Sequence, residues 1–243
     1  MICFRLLDSD DPATPLAEAV ATLRRGEDAE SVYAVNPESF RQVPNAPFAY
    51  WVSERIRGLF TELPPFESDG REVRVGLQTS DDFRFVRTAW ETAEAGTHQS
   101  WFPFAKGGSY SPFYADVHLH VNWDMDGKEI RFLGDPNGVR TKSRPQNTQF
   151  NFRPGLTWSD RTTKLFSARL WPSGGVFSVK GSCGFFDLHN EFALGLLNSR
   201  VFNGFLSLMV GAAGAAARSY QVGTIGSVPS PSLNNSGPYT TIS

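Results

Sequence analysis

An α+β fold is expected: an N-terminal helical connector, then a twisted mixed or antiparallel sheet covered by a long packing helix. Three observations predict it. Apolar residues recur at helical spacing near both ends of the chain, polar–apolar alternation with a period of two runs through residues 70–185, and Gly, Pro and Asn cut that middle region into short segments.

Taken in order, Pro15 to Arg25 reads as a helix, with Leu16, Ala19, Val20 and Leu23 on one face and Gly26 at the position of a C-cap. Ser31 to Val35 suits a strand, ended by Asn36-Pro37. A second helix is expected over Ala49 to Leu63, stopped by Pro64-Pro65, with Trp51, Ile56, Leu59 and Phe60 as its apolar face. Arg71 to Val75 and Asp116 to Trp123 alternate as half-buried strands do. Glu129–Leu133, Leu165–Leu170 and Gly175–Val179 read as further strands. The helical period returns from Asp187 to Leu208 through Phe192, Leu196, Leu197, Val201, Phe205 and Leu208. Tyr220 to Ile225 suits a last strand. The boundaries implied are a connector over 1–66, a sheet domain over 67–228 and a disordered tail over 229–243, where charge is absent and Ser, Pro, Gly and Asn abound.

The chain has 243 residues, 40% of them hydrophobic, enough for a real core, and its 20 Phe and 6 Trp point to that core before any binding face. Two distant cysteines, Cys3 and Cys183, argue against a disulfide framework and a zinc knuckle and suit a reducing cytoplasm. No leader pattern opens the sequence, and the longest apolar run, Phe202 to Ala217, is short of a membrane span. The net charge is −2, unevenly spread. Residues 1–40 carry three Lys/Arg and eight Asp/Glu; residues 131–180 carry nine Lys/Arg and two Asp. A basic segment within a neutral chain suits a local phosphate-contacting surface, or an ordinary solvated face.

Catalytic motifs are incomplete. Asp116, His118 and His120 would share one strand face and offer a metal three ligands, although an exposed polar face explains them better because no fourth ligand is near. There is no Gly-x-Ser-x-Gly, Lys106-Gly107-Gly108-Ser109 lacks the order of a phosphate loop, and Gly211-Ala212-Ala213-Gly214 is no dinucleotide fingerprint. Leu63-Pro64-Pro65-Phe66 has the proline pair and aromatic with which amino-methyltransferases hold a flipped base. Leu63, however, cannot accept the amino group's hydrogen bond, and no Gly-rich turn is present for S-adenosylmethionine.

Six phrases occur in order. They are Val43-Pro44-Asn45-Ala46-Pro47-Phe48-Ala49-Tyr50-Trp51-Val52-Ser53, Val75-Gly76-Leu77-Gln78-Thr79-Ser80-Asp81-Asp82-Phe83-Arg84-Phe85-Val86-Arg87, Trp101-Phe102-Pro103-Phe104-Ala105-Lys106-Gly107-Gly108, Val121-Asn122-Trp123, Phe152-Arg153-Pro154-Gly155-Leu156-Thr157-Trp158-Ser159 and Leu196-Leu197-Asn198-Ser199-Arg200-Val201-Phe202. Together they resemble the C-terminal half of the PglX-like adenine-specific DNA methyltransferases of BREX and phage-growth-limitation systems, and the related fused restriction–methylation enzymes.

The resemblance implies a target-recognition module for double-stranded DNA, serving adenine N6 methylation in phage defence or restriction–modification. The catalytic domain would lie N-terminal to these phrases and supply the S-adenosylmethionine site, so no cofactor, catalytic residue or metal ligand is expected in this chain. Its partners would be duplex DNA and a methyltransferase catalytic domain, in cis or in trans. Candidate DNA contacts follow. Lys106, Gly107, Gly108 and Ser109 bring bare backbone and a cation to a phosphate; Arg144, Gln146 and Asn147 suit base edges, as do Gln149 and Asn151; Arg153, Trp158 and Arg161 flank a Pro-Gly turn. A tight turn explains Lys106 to Gly108, and a polar loop explains residues 144–151, equally well, and Trp158 suits packing better than stacking on a base. The rival expectations are a non-functional remnant of a longer gene and a small hydrolase using Asp116, His118 and His120 as metal ligands.

Overall fold

A computed structural model of the chain describes residues 1–7, 9–92, 100–186, 190–210 and 217–232. It is α+β, with antiparallel and mixed sheets and helices, in two compact units: Met1–Pro64, and a second that begins at Pro65.

The first unit holds a helix, Ala13–Arg24, and an antiparallel ribbon in which Ile2–Phe4 pairs with Val32–Ala34. The ribbon means that this unit is not purely helical. The helix expected over 49–63 begins only at Glu54 and ends at Glu62, because Ser53 takes the N-cap position and its hydroxyl accepts the Ile56 N–H. Residues before the cap are turned by left-handed Asn45 and Ala46. Tyr33, Phe40, Phe48, Tyr50 and Trp51 form a chain of ring contacts with centroids 5.1–5.6 Å apart. Ala49 and Val52 are buried, whereas Phe48, Trp51 and Ile56 stand exposed.

The second unit contains two four-stranded sheets instead of one. In the first, the order is Val176–Phe177, Trp101–Ala105, Leu119–Asn122, Val86–Thr88; the first pair is parallel and the others antiparallel. Leu77, Phe85, Phe104, Val121, Trp123, Ile130 and Val176 form its core. The second sheet is antiparallel throughout, in the order Arg71–Arg74, Cys183–Phe186, Gly155–Trp158, Ala168–Trp171. One face meets Phe150, Phe177 and Ala105. On Trp158's side lie Phe166, Phe202 and Tyr220, with centroid distances of 5.3–6.1 Å along the chain of rings.

Several expected elements differ. Glu129–Leu133 is no strand but mostly the end of a helix, Asp124–Arg131, which Met125, Asp126 and Gly127 enter through left-handed backbone. Gly127 is required there, since a Cβ would lie 2.7 Å from the Trp123 ring. The strand expected over 116–123 starts at Leu119, which leaves Asp116 and His118 outside it. The long helix is two, Asn190–Leu197 and Arg200–Met209, with Ser199 capping the second. Tyr220–Ile225 is not a strand; Arg218–Ser219 pairs with Arg161–Thr162 and a short helix, Val222–Gly226, follows. Residues 229–231, expected in the tail, pack on the second unit: Pro229 bridges Pro65, Ser230 is buried and the Pro231 carbonyl accepts from Arg71. The start of the long helix at Asp187, the glycine pair at 211–214 and the tail beyond 232 lie outside the described residues.

Candidate functional site

The strand Trp101–Ala105 delivers Lys106 at its C-terminal end, and its parallel partner Val176–Phe177 sends Ser178 to Lys180 out beside it. The Leu77–Gln78 segment docks on the same edge: Leu77 donates to the Phe177 carbonyl and Val179 to the Leu77 carbonyl. Gln78 and Arg144 exchange two backbone hydrogen bonds of 2.9 Å. Together these segments enclose a groove of about 530 Å³ lined by Gln78, Ser80, Asp82, Lys106, Ser178 and Lys180. Bare backbone makes the fit possible. At Gly107, whose φ is +76°, a Cβ would lie 2.7 Å from the Lys180 carbonyl oxygen.

The charges in the groove are paired. Lys106 meets the Asp82 carboxylate, which also accepts the Thr79 hydroxyl. Burial pushes the Asp82 carboxyl up, but the Lys106 ammonium and the Thr79 hydroxyl outweigh it and hold the group below its usual range. Lys180 pairs with Asp160 at 3.0 Å, and its side chain remains 59% exposed. An ion pair made by so exposed a lysine is worth about 0–1 kcal/mol, so exchange of Asp160 for a phosphate costs little.

The sequence-predicted contacts divide. Lys106 lines the groove and Arg144, exposed, sits at its wall through Gln78. Gly107 and Gly108 form the adjoining loop, and the Ser109 carbonyl accepts from Arg169. Arg153 lies over the Phe150 and Phe185 rings, and Arg161 is exposed on the short strand beside Ser219; neither lines the groove. Gln146 and Asn147 are turned inward, where their amides donate to the Gly76 and Val75 carbonyls at 3.5 and 2.9 Å. Asn151 is buried, whereas Gln149 is exposed. Trp158 is a correction: it is wholly buried and its indole N–H is donated to the Tyr220 carbonyl at 3.0 Å, so no base can reach its ring.

Among the described residues no three His, Cys, Asp or Glu side chains gather to hold an ion. Asp116 accepts the Tyr114 hydroxyl, and His120 Nδ1 bonds the Thr92 hydroxyl at 2.6 Å while burial lowers its pKa. Lys180 and Gln78, which also line the groove, were missed. Only the Val179-Lys180-Gly181 turn carried a signal, a cation beside a glycine.

No family model matches the chain. Over 219 residues, 84% of its length, it is 29% identical to the adenine-specific methyltransferase PglX of Lacticaseibacillus casei (strain Zhang). Over 181 residues, 70% of its length, it is 27% identical to the adenine-specific methyltransferase BrxX of Escherichia coli O9:H4 (strain HS). The chain is homologous to the PglX/BrxX adenine-specific methyltransferases. It spans 18% and 14% of these two relatives, less than a fifth of either. Among the described residues no helix is long and apolar enough to cross a membrane.

Proposed function

We propose that this chain is a recognition module for double-stranded DNA, serving a PglX/BrxX-type adenine methyltransferase whose catalysis and S-adenosylmethionine site are supplied by a region outside these residues. The observation that carries this reading is the match of 84% of the chain to one adenine-specific methyltransferase. The groove of Lys106 and Lys180 is where phosphates would be held, with the Gly107–Gly108 backbone beside it. Arg144 and Gln149, both exposed, are better base-edge readers than Gln146 and Asn147, whose amides already serve the fold. The exposed Phe48, Trp51 and Ile56 of the first unit would receive the catalytic region.

Fluorescence anisotropy of a labelled duplex against salt tests this reading. Binding should weaken linearly in log salt, and Lys106→Ala and Lys180→Ala should each reduce the slope by about one. Duplex affinity that is indifferent to salt and to both substitutions would overturn it.

A further inference from the structure

A second cavity, of about 230 Å³, lies between one face of the antiparallel sheet and the segments 104–108 and 115–119. We propose that it binds a small organic anion, whose carboxylate or phosphate is held by the Arg169 guanidinium and the Trp171 indole N–H.

Arg169 is only 4% exposed. It donates from Nη1 to the Ser109 carbonyl at 3.2 Å and from Nη2 to the Ser159 hydroxyl at 3.3 Å, and among the described residues no carboxylate pairs with it. A guanidinium carries five N–H donors, more than the two bonds to Ser109 and Ser159 use. Removing a cation from water without a counter-ion costs several kcal/mol, and burial accordingly lowers the Arg169 pKa. Trp171, two residues along the same strand and on the same face, is 2% exposed, and among the described residues its Nε1–H has no acceptor. A buried donor left without its hydrogen bond destabilises the fold. Two donors left wanting on one face call for a ligand that brings acceptors.

The surroundings set the rest of the ligand. Gly108, with φ +143°, passes over Arg169 as bare backbone; a Cβ there would lie 3.6 Å from Nη2. Phe104, Val117 and Leu119 supply apolar wall, which suits an organic body. The other charges along the lining are engaged elsewhere: Lys106 with Asp82, and Asp116 as acceptor of the Tyr114 hydroxyl at 2.7 Å. The volume equals that of roughly eight waters, the size of a benzoate and far below that of a duplex segment. Phe104 and Lys106 line this cavity and the groove alike, so the two sites adjoin, but the donors that carry this proposal, Arg169 and Trp171, do not line the groove.

The experiment is a ¹H–¹⁵N spectrum of the tryptophan indoles of the full chain, with the Trp171 signal assigned by Trp171→Phe. Benzoate and phenyl phosphate are titrated in, with benzamide as the uncharged control. A saturable shift of the Trp171 signal with benzoate identifies a carboxylate site, and with phenyl phosphate a phosphate site; either result supports the proposal. No saturable shift from either anion, or an equal one from benzamide, overturns it. Arg169→Met should abolish the shift. Should that variant fail to fold, Trp171→Phe keeps the shape, and the thermal stabilisation that the anion gives should require several-fold more ligand; an unchanged requirement removes Trp171 from the site.

Discussion

Asn198 clasps Ala168 from both sides: its Oδ1 accepts the Ala168 N–H at 3.0 Å and its Nδ2 donates to the Ala168 carbonyl at 2.9 Å. Ala168 begins the edge strand of the antiparallel sheet, and Asn198 sits between the two C-terminal helices. The side chain therefore stands in for a neighbouring strand. It also fixes where the helical period breaks, since Ser199 then caps the second helix by accepting the Phe202 N–H at 3.1 Å.

Asn198→Ala removes both bonds and leaves the Ala168 N–H without its acceptor, while the Ala168 carbonyl keeps the Phe113 N–H at 2.9 Å. A loss of about 2–4 kcal/mol is expected at roughly 1–2 kcal/mol per bond, read as a lower denaturant midpoint. Asn198→Asp keeps the acceptor, so it should fall between the two. An Asp variant as damaged as Ala would show that the donor alone matters.

The Lys106–Asp82 pair yields a prediction of opposite sign for binding and stability. Asp82→Asn frees Lys106, so duplex affinity at neutral pH should rise, with a steeper salt dependence. The same change removes an acid whose pKa the fold lowers. Its contribution is present above the usual carboxylate range and is lost as pH falls below about 4. Acid unfolding curves of wild type and Asp82→Asn should therefore converge below pH 4. Unchanged duplex affinity in this variant would remove Lys106 from the interface.

Cys183 lies in the central part of the second sheet, fully buried, with its register partners Arg74 and Thr157 on either side. Burial pushes its thiol far above the ordinary range, and the Thr157 and Arg169 contacts only partly oppose this. Iodoacetamide should leave Cys183 unmodified in the native chain and label it on unfolding, as peptide mass mapping would show. Labelling at native pH and low denaturant would mean that this sheet opens locally.

The strand Arg71–Arg74 was legible because burial alternates along it, with Arg71 and Val73 inward, as its period of two requires. The edges were less legible. Met125 and Asp126 adopt left-handed backbone that neither residue type announces, and the stack of Trp123 on Gly127 decides that turn. The break at Asn198 depends on Ala168, thirty residues away, so no local pattern could show it. The same reason hides the groove. Lys106 and Lys180 meet because two strands pair in parallel, whereas Gln146 and Asn147, polar and well spaced for base edges, are spent on the carbonyls of residues 75 and 76.

Trp158 gives the sharpest test between fold and recognition. The ring lies in a strand paired on both sides, touches Phe166 at 5.9 Å between centroids, and donates its N–H to Tyr220. Trp158→Phe keeps most of the apolar contact but orphans the Tyr220 carbonyl, so stability should fall by about 1–3 kcal/mol. Trp158→Ala adds a cavity, and a loss of about 3–5 kcal/mol is expected. Neither variant should change duplex affinity when measured well below its own unfolding temperature, because the ring never meets solvent. Were the ring instead a stacking platform, Phe would retain binding and Ala would lose roughly 1–3 kcal/mol of it, the cost of one lost base stack. Anisotropy titrations of the folded variants separate the two outcomes, and a selective loss in Trp158→Ala would mean that this part of the sheet opens to admit a base.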